Sequence, residues 1–186
     1  MHLQEILQLD DTIVSQVTHG GTSGVSILRL SGPQAHHIAG KLLKLGQDSL
    51  PKAGSFALRS LYINKLIVDK ALLLTFKSPR SLTGEDVIEV HVHGNPLLVH
   101  NILSSLIQFG ARQANPGEFL FRGYKNNKFT LNELEALGGL LNASSSTALK
   151  LYSPESQTRF QSFLITLRQD ILNLWAHAEA YFDFSD

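Results

Sequence analysis

Between Thr83 and Asn95 the sequence TGEDVIEVHVHGN alternates with a period of two. Ile88, Val90 and Val92 fall on one side and Glu89, His91 and His93 on the other, the pattern of a strand with one dry and one polar face. Two further strands are predicted at 11–17 and 25–30, around the glycine-rich turn HGGTSG. Ser31-Gly32-Pro33 opens a helix that carries Ala35, Ile38, Ala39, Leu42 and Leu43 on one stripe, with Gly46 as its stop. The segments 56–63 and 66–76 form a strand pair turning near Asn64-Lys65. After the 87–93 strand, Asn95 is an N-cap and Pro96 a first helical residue. That helix runs through Leu98, Ile102, Leu106 and Phe109 to Gly110. Strands interleaved with few helices predict an α+β domain, a mixed sheet with packed helices, over residues 1–120.

From 121 to 186 the period becomes helical. Thr130-x-x-Glu133 is a capping-box pattern, and Leu131, Leu134, Leu137 and Leu141 follow on one side. Gly138-Gly139 inside that run costs about 1 kcal/mol each relative to alanine, so the helix is expected to bend or to pack closely there. Ser153-Pro154 starts a long helix with apolar positions Phe160, Leu164, Leu167, Ile171, Leu174, Ala178 and Tyr181. Steps of four and three without a break form a seam that wants neighbouring helices. The expectation is a chain that stops inside a helical bundle, a piece of a longer protein.

Composition narrows this picture modestly. Hydrophobic residues make up 43% of the 186, enough for a core. Sixteen basic and sixteen acidic residues cancel, so no global charge draws the chain to nucleic acid or anionic membrane. The absence of cysteine excludes a disulfide framework, a thiolate zinc site and a cysteine nucleophile. The N-terminal MHLQEILQLDD lacks the pattern of a signal peptide. The longest apolar run, 71–74, is too short to span a bilayer. A soluble, cytoplasmic protein is expected, or an organellar one from which a transit peptide has been removed.

Several residues invite a chemical role. His91-x-His93 with Glu89 suggests a metal strand, but no distant third ligand is evident, and a polar strand face or ligand-contacting pair fits better. His100 reads as a surface residue. The GGTSG loop is either a tight turn or an anion cradle; it is not a P-loop, because no lysine follows and a strand comes next. Arg29, inside the apolar strand VSILRLS, must find a carboxylate, phosphate or ligand. Glu118 and Arg122 stand four apart and read as a helix-surface pair. Lys125 and Lys128, in KNNK, look like loop lysines. No Ser/His/Asp order or paired-carboxylate spacing compels a catalytic assignment.

Taken together, DTIVSQVT with GVSILRLSG, LTGEDVIEVHVHGNP, ANPGEF, NNKFTLNELEAL, NASS and the terminal FDFSD resemble, in order, the N-terminal part of the tRNA-modifying GTPase family TrmE, also called MnmE. The likeness covers nearly the whole chain. The sequence departs from the family pattern in the loop THGGTSGVS and at Val92, Asn95 and Phe121.

The resemblance implies an aminomethyltransferase-like folate-binding and dimerisation domain to about residue 120, then the start of a truncated helical domain. It implies a homodimer holding a tetrahydrofolate derivative, in the 5-formyl or 5,10-methylene form. The matching folate-contacting positions are Arg29, Glu89 and Lys128. A carboxylate suits the amino and ring N–H groups of a pterin, and the cations suit carbonyl or carboxylate oxygens. The parent family modifies the wobble uridine of tRNA with the flavoprotein partner MnmG (GidA). Its GTP, magnesium and potassium belong to a G domain, and neither G-x-x-x-x-G-K-[ST] nor the family's C-terminal cysteine motif occurs here. By itself this chain is expected not to hydrolyse GTP. Two other readings are a stand-alone folate-dependent one-carbon transferase and a non-catalytic assembly module with a decayed folate pocket.

Overall fold

A computed structural model describes residues 10–43 and 49–183, without the side chains of Pro154, Phe182 and Asp183. The chain divides into two units, one closing at Lys128 and the other opening at Phe129.

The first unit is built on six strands: β1 (Ile13–Gln16), β2 (Ser23–Ser31), β3 (Phe56–Ile63), β4 (Leu66–Phe76), β5 (Val87–Gly94) and β6 (Arg112–Gln113). Their order across the sheet is β3-β4-β5-β2-β1-β6. Every pairing is antiparallel except that of β1 with β6. The sheet is therefore mixed, and with its helices the unit is α+β, as the interleaved pattern predicts. The β3 and β4 strands keep the predicted bounds, and Asn64 and Lys65 both take positive φ, as a two-residue hairpin turn requires.

One face of the sheet is dry. Val14, Leu28, Leu30, Ala71, Leu73, Ile88, Val90 and Val92 pack there against α1 (Ala35–Gly40) and α2 (Pro96–Gln108). Ala35, Ile38 and Ala39 of α1, and Val99, Ile102 and Leu106 of α2, complete the core. Helix α1 ends at Gly40, earlier than the stripe suggests, yet Leu42 and Leu43 are buried in the turns that follow; Gly46 lies outside the described residues. Asn95 caps α2 as expected, its Oδ1 accepting from the N–H groups of Leu97 (2.9 Å) and Leu98 (3.1 Å). His100 is exposed.

A further helix, α3 (Glu118–Lys125), belongs to the sheet unit. It is tied there by Arg122, which is completely buried. A division at residue 120 would cut this helix.

The second unit holds α4 (Leu131–Leu141), α5 (Ser146–Leu151) and α6 (Pro154–Asp183). The capping box forms: the Thr130 hydroxyl accepts from the Glu133 N–H at 3.3 Å and Glu133 accepts from the Thr130 N–H at 2.7 Å. Of the two glycines in α4, Gly139 has the packing reason, since a Cβ there would run into the Tyr152 ring, whereas Gly138 faces open space. Along α6, Phe160, Leu164, Leu167, Ile171, Leu174 and Tyr181 all stay exposed. No helix among the described residues is long and apolar enough to cross a membrane.

Candidate functional site

The sheet face opposite the core carries the ionisable residues. Antiparallel register sets Arg29 of β2 directly across from Glu89 of β5, and Ile27 across from His91. Because side chains alternate, the register that buries Leu28, Leu30, Ile88 and Val90 also turns Arg29, Glu89 and His91 outward together. The Arg29 Nε donates to Glu89 Oε1 at 2.8 Å, and an Nη of the same guanidinium stands 2.8 Å from that oxygen. The other carboxylate oxygen, Oε2, lies 3.2 Å from His91 Nε2. The guanidinium also sits over the Phe119 ring of α3, 5.6 Å from its centroid. Glu89 is thus aimed by two neighbours while its side chain keeps 15% exposure, within reach of a ligand.

His93 stands apart from this cluster. Its Nδ1 and backbone N–H engage Asp69 at 2.7 and 2.9 Å, and the ring is largely exposed. Burial would raise the Asp69 carboxyl, but hydrogen bonds from the His93 and Lys70 N–H groups and the His93 ring hold it below its ordinary value. The two histidines therefore serve different carboxylates. Among the described residues no three His, Asp or Glu side chains gather in a metal-holding arrangement.

Lys128 is in a third place. Its Nζ donates to the Pro79 carbonyl at 3.0 Å. Beside it, Asn126 Nδ2 donates to the Thr83 carbonyl at 2.7 Å. Gly84, at φ +77°, packs so closely on Asn126 and Lys128 that a Cβ would stand 2.9 Å from Asn126 Cβ. A cleft of about 620 Å³ opens here, lined by Asp10, Pro33, Lys77, Ser78, Gly84, Glu85, Asp86, Arg122, Lys125 and Asn126. Arg29, Glu89 and Lys128 are not among its lining residues. Arg29 and Glu89 are brought into contact; Lys128 touches neither.

The Glu118–Arg122 pair proves to be no surface pair. Arg122 is completely buried and Glu118 is 8% exposed. The Arg122 guanidinium donates to the Asp11 backbone carbonyl at 2.8 Å, to Glu118 Oε1 at 3.0 Å, to both Glu85 oxygens at 3.3 Å and to the Asp11 carboxylate. Arg112 reaches the same two acids, Asp11 and Glu118. Ser31 Oγ, two residues along β2 from Arg29, donates to Glu85 Oε2 at 2.6 Å. Burial pushes the Asp11 and Glu118 carboxyls up, but hydrogen bonds from Arg112 and Arg122, with the Asn115 N–H on Glu118, bring both below their ordinary values. Burial likewise opposes the Arg122 charge, and its acid partners raise it again.

Spacing shows that Glu118 and Arg122 share a helix face, but not that the face meets Asp11 and Glu85, far off in sequence. The usable signal was the presence of those two acids at the ends of predicted strands.

Comparison with known proteins identifies the family of the sheet unit. Residues 12–128, nearly the whole described sheet unit, match the family described as GTP-binding protein TrmE N-terminus. The chain is 38% identical over 176 residues to a protein of Francisella philomiragia named tRNA modification GTPase MnmE. It is 40% identical over 178 residues to the protein of that name in Legionella pneumophila strain Corby, and 38% over 178 residues to that of Aliarcobacter butzleri. Each alignment covers 95% of this chain and only 38 or 39% of the relative.

Proposed function

The chain belongs to the GTP-binding protein TrmE N-terminus family, and from that premise we propose that it is the reduced-folate-binding and dimerisation segment of a GTPase that modifies the wobble uridine of tRNA. The observation that carries the folate reading is the Arg29–Glu89 pair on the sheet face opposite the core. A carboxylate oriented by a guanidinium and still exposed at its edge is a ready acceptor for the paired N–H groups of a reduced pterin. Charge-assisted bonds of this kind fix orientation as well as affinity. Arg29 aims the acceptor, and the Phe119 ring under the guanidinium limits its motion.

An apolar flank beside the pair suits the second copy. Phe56 and Leu58 of β3 are 72% and 61% exposed, and they pair with Leu74 and Leu72, the cross-strand neighbours of Glu89 and His91. Large apolar side chains gathered on an open sheet face mark interaction surfaces. The exposed seam of α6 is read as the place where the remaining helices of a longer polypeptide pack. GTP hydrolysis, the flavoprotein MnmG and tRNA belong to that longer protein, and the folate carries the one-carbon unit in 5-formyl or 5,10-methylene form.

The test is titration of 5-formyltetrahydrofolate into the purified chain by calorimetry, with the mass in solution followed by sedimentation. Binding by a dimer is expected. Glu89→Ala should weaken it by at least about tenfold, the loss of a charge-assisted hydrogen bond worth about 1.5–3 kcal/mol, with the circular dichroism unchanged. Equal affinity in the variant would remove Glu89 from the site. A dimer that binds no reduced folate would make the chain an assembly module.

A further inference from the structure

Resting on the tRNA part of the proposed function and not on its folate part, we infer that the outward face of α3, with the loop 77–84 fastened at its end, is a docking surface for an unpaired stretch of RNA. The two faces of α3 differ sharply. Glu118, Arg122 and Gly123 are buried, and Phe119 meets Arg29. At about 100° per residue, the opposite face is made by Phe121, Tyr124 and Lys125. The solvent side of an amphipathic helix is ordinarily polar. Here Phe121 is 40% and Tyr124 42% exposed, and their i, i+3 spacing makes them neighbours on the helix surface. Two adjoining rings are platforms on which nucleobases stack.

The cations gather at the C-terminal end of this face. Asn127, at φ 56°, turns the chain there, and the Lys128 N–H returns to the Gly123 carbonyl at 2.8 Å. Lys128 Nζ donates to the Pro79 carbonyl and Asn126 Nδ2 to the Thr83 carbonyl, which fastens the loop bearing Arg80 against the helix end. Arg80, Lys125 and Lys128 are all exposed, and none has a carboxylate partner among the described residues. Neither 77–84 nor 119–132 contains an acid. The acids nearby are occupied: Glu118 by Arg112 and Arg122, Glu85 by Arg122, and Asp86 by Lys77. Asp10, lining the adjoining cleft, is the opposing charge. The chain as a whole carries no net charge, so a polyanion would meet this local excess. An acidic peptide would satisfy the cations and leave the rings without a partner. A duplex keeps its bases stacked on one another and offers its backbone and shape. Unpaired RNA brings phosphates and free base faces together.

The test is fluorescence anisotropy of the purified chain with a labelled RNA stem-loop carrying a uridine-rich loop, compared with the same stem closed into a full duplex. The loop RNA is expected to bind about tenfold more tightly. Tyr124→Ala should weaken its binding about tenfold and Tyr124→Phe should preserve it, with circular dichroism and affinity for 5-formyltetrahydrofolate unchanged in both. The slope of log K against log salt should be about −2, for three phosphate contacts, and shrink by about 0.7 in Lys125→Gln. Equal binding of loop and duplex, or indifference to Tyr124→Ala, overturns the surface. So does a polyglutamate peptide that binds as tightly as the loop RNA. Absence of RNA binding with folate binding intact overturns the surface and leaves the folate reading standing. The tRNA reading is judged separately, by mass spectrometry of tRNA nucleosides from cells lacking the protein. A wobble uridine left unmodified there, with no RNA binding by this chain, overturns the surface alone; an unaltered modification overturns the tRNA reading instead.

Discussion

Replacing Arg122 by methionine tests whether the buried guanidinium holds the sheet unit together. The substitution keeps an unbranched apolar stem and removes the charge that Asp11, Glu85 and Glu118 share. Arg112 still reaches Asp11 and Glu118, but Glu85 loses its guanidinium and keeps, among the described residues, the hydroxyl of Ser31. Removing one partner of a buried ion pair costs about 3–5 kcal/mol, because the remaining charges stay desolvated. Against a typical domain stability of about 5–15 kcal/mol, that brings the sheet unit close to unfolding at room temperature. Tryptophan fluorescence would report on the wrong unit, since the sole tryptophan, Trp175, lies in α6. Amide hydrogen exchange followed by mass spectrometry on β2 and β5 peptides reads the right one. Opening free energies there should drop by about 3 kcal/mol or more, with little change in the α6 peptides. Acidification should narrow the gap between the two proteins, because protonating the stranded carboxylates removes their penalty. A drop below about 1 kcal/mol would refute the reasoning and reduce the network to an ordinary surface arrangement.

Other expectations follow from the same geometry. Asp11, Asp69, Asp86 and Glu118 all have carboxyl groups held below their ordinary values of 3.8 and 4.5. Their contribution to stability is therefore full above about pH 5 and lost as pH falls through the lowered native values; denaturant midpoints that stay flat from pH 5 to pH 2 would contradict this. His91→Leu takes the partner from Glu89 Oε2 and should weaken 5-formyltetrahydrofolate binding about fivefold, with His91→Gln largely restoring it; equal affinities in all three by calorimetry would make His91 a bystander. Gly84→Ala forces a Cβ toward Asn126 at a positive φ and should cost about 1 kcal/mol or more in urea denaturation followed by circular dichroism. Phe56→Glu should leave the fold intact and yield monomers in sedimentation; an undiminished dimer would move the interface elsewhere.

The sheet was largely legible because its signals are local. Alternation marked β5, two apolar-rich segments around the Asn64-Lys65 turn marked β3 and β4, and cap chemistry marked the starts of α2 and α4. Arg29 could be picked out because a charge in an apolar strand demands a partner, but its partner, sixty residues away, was fixed only by strand pairing. The short elements β6 and α5 carry too few residues to show a period. Arg122 escaped for another reason. Four-residue spacing cannot distinguish a helix face turned to water from one turned into a polar interior, and that difference depends on Asp11 and Glu85 folding over it.

The pairing of Arg29 with Glu89 has a consequence for anyone who mutates or evolves this protein. The strand offset that joins them is the offset that seats Leu28, Leu30, Ile88 and Val90 in the core. A slip by one residue would turn the charged pair inward and the aliphatic side chains outward in the same movement. Correct assembly and a formed Arg29–Glu89 pair are thus a single event, with no well-packed impostor between them. In a library of variants that spare the outward-facing residues, ligand capture would therefore act as a proofreading screen for the architecture itself.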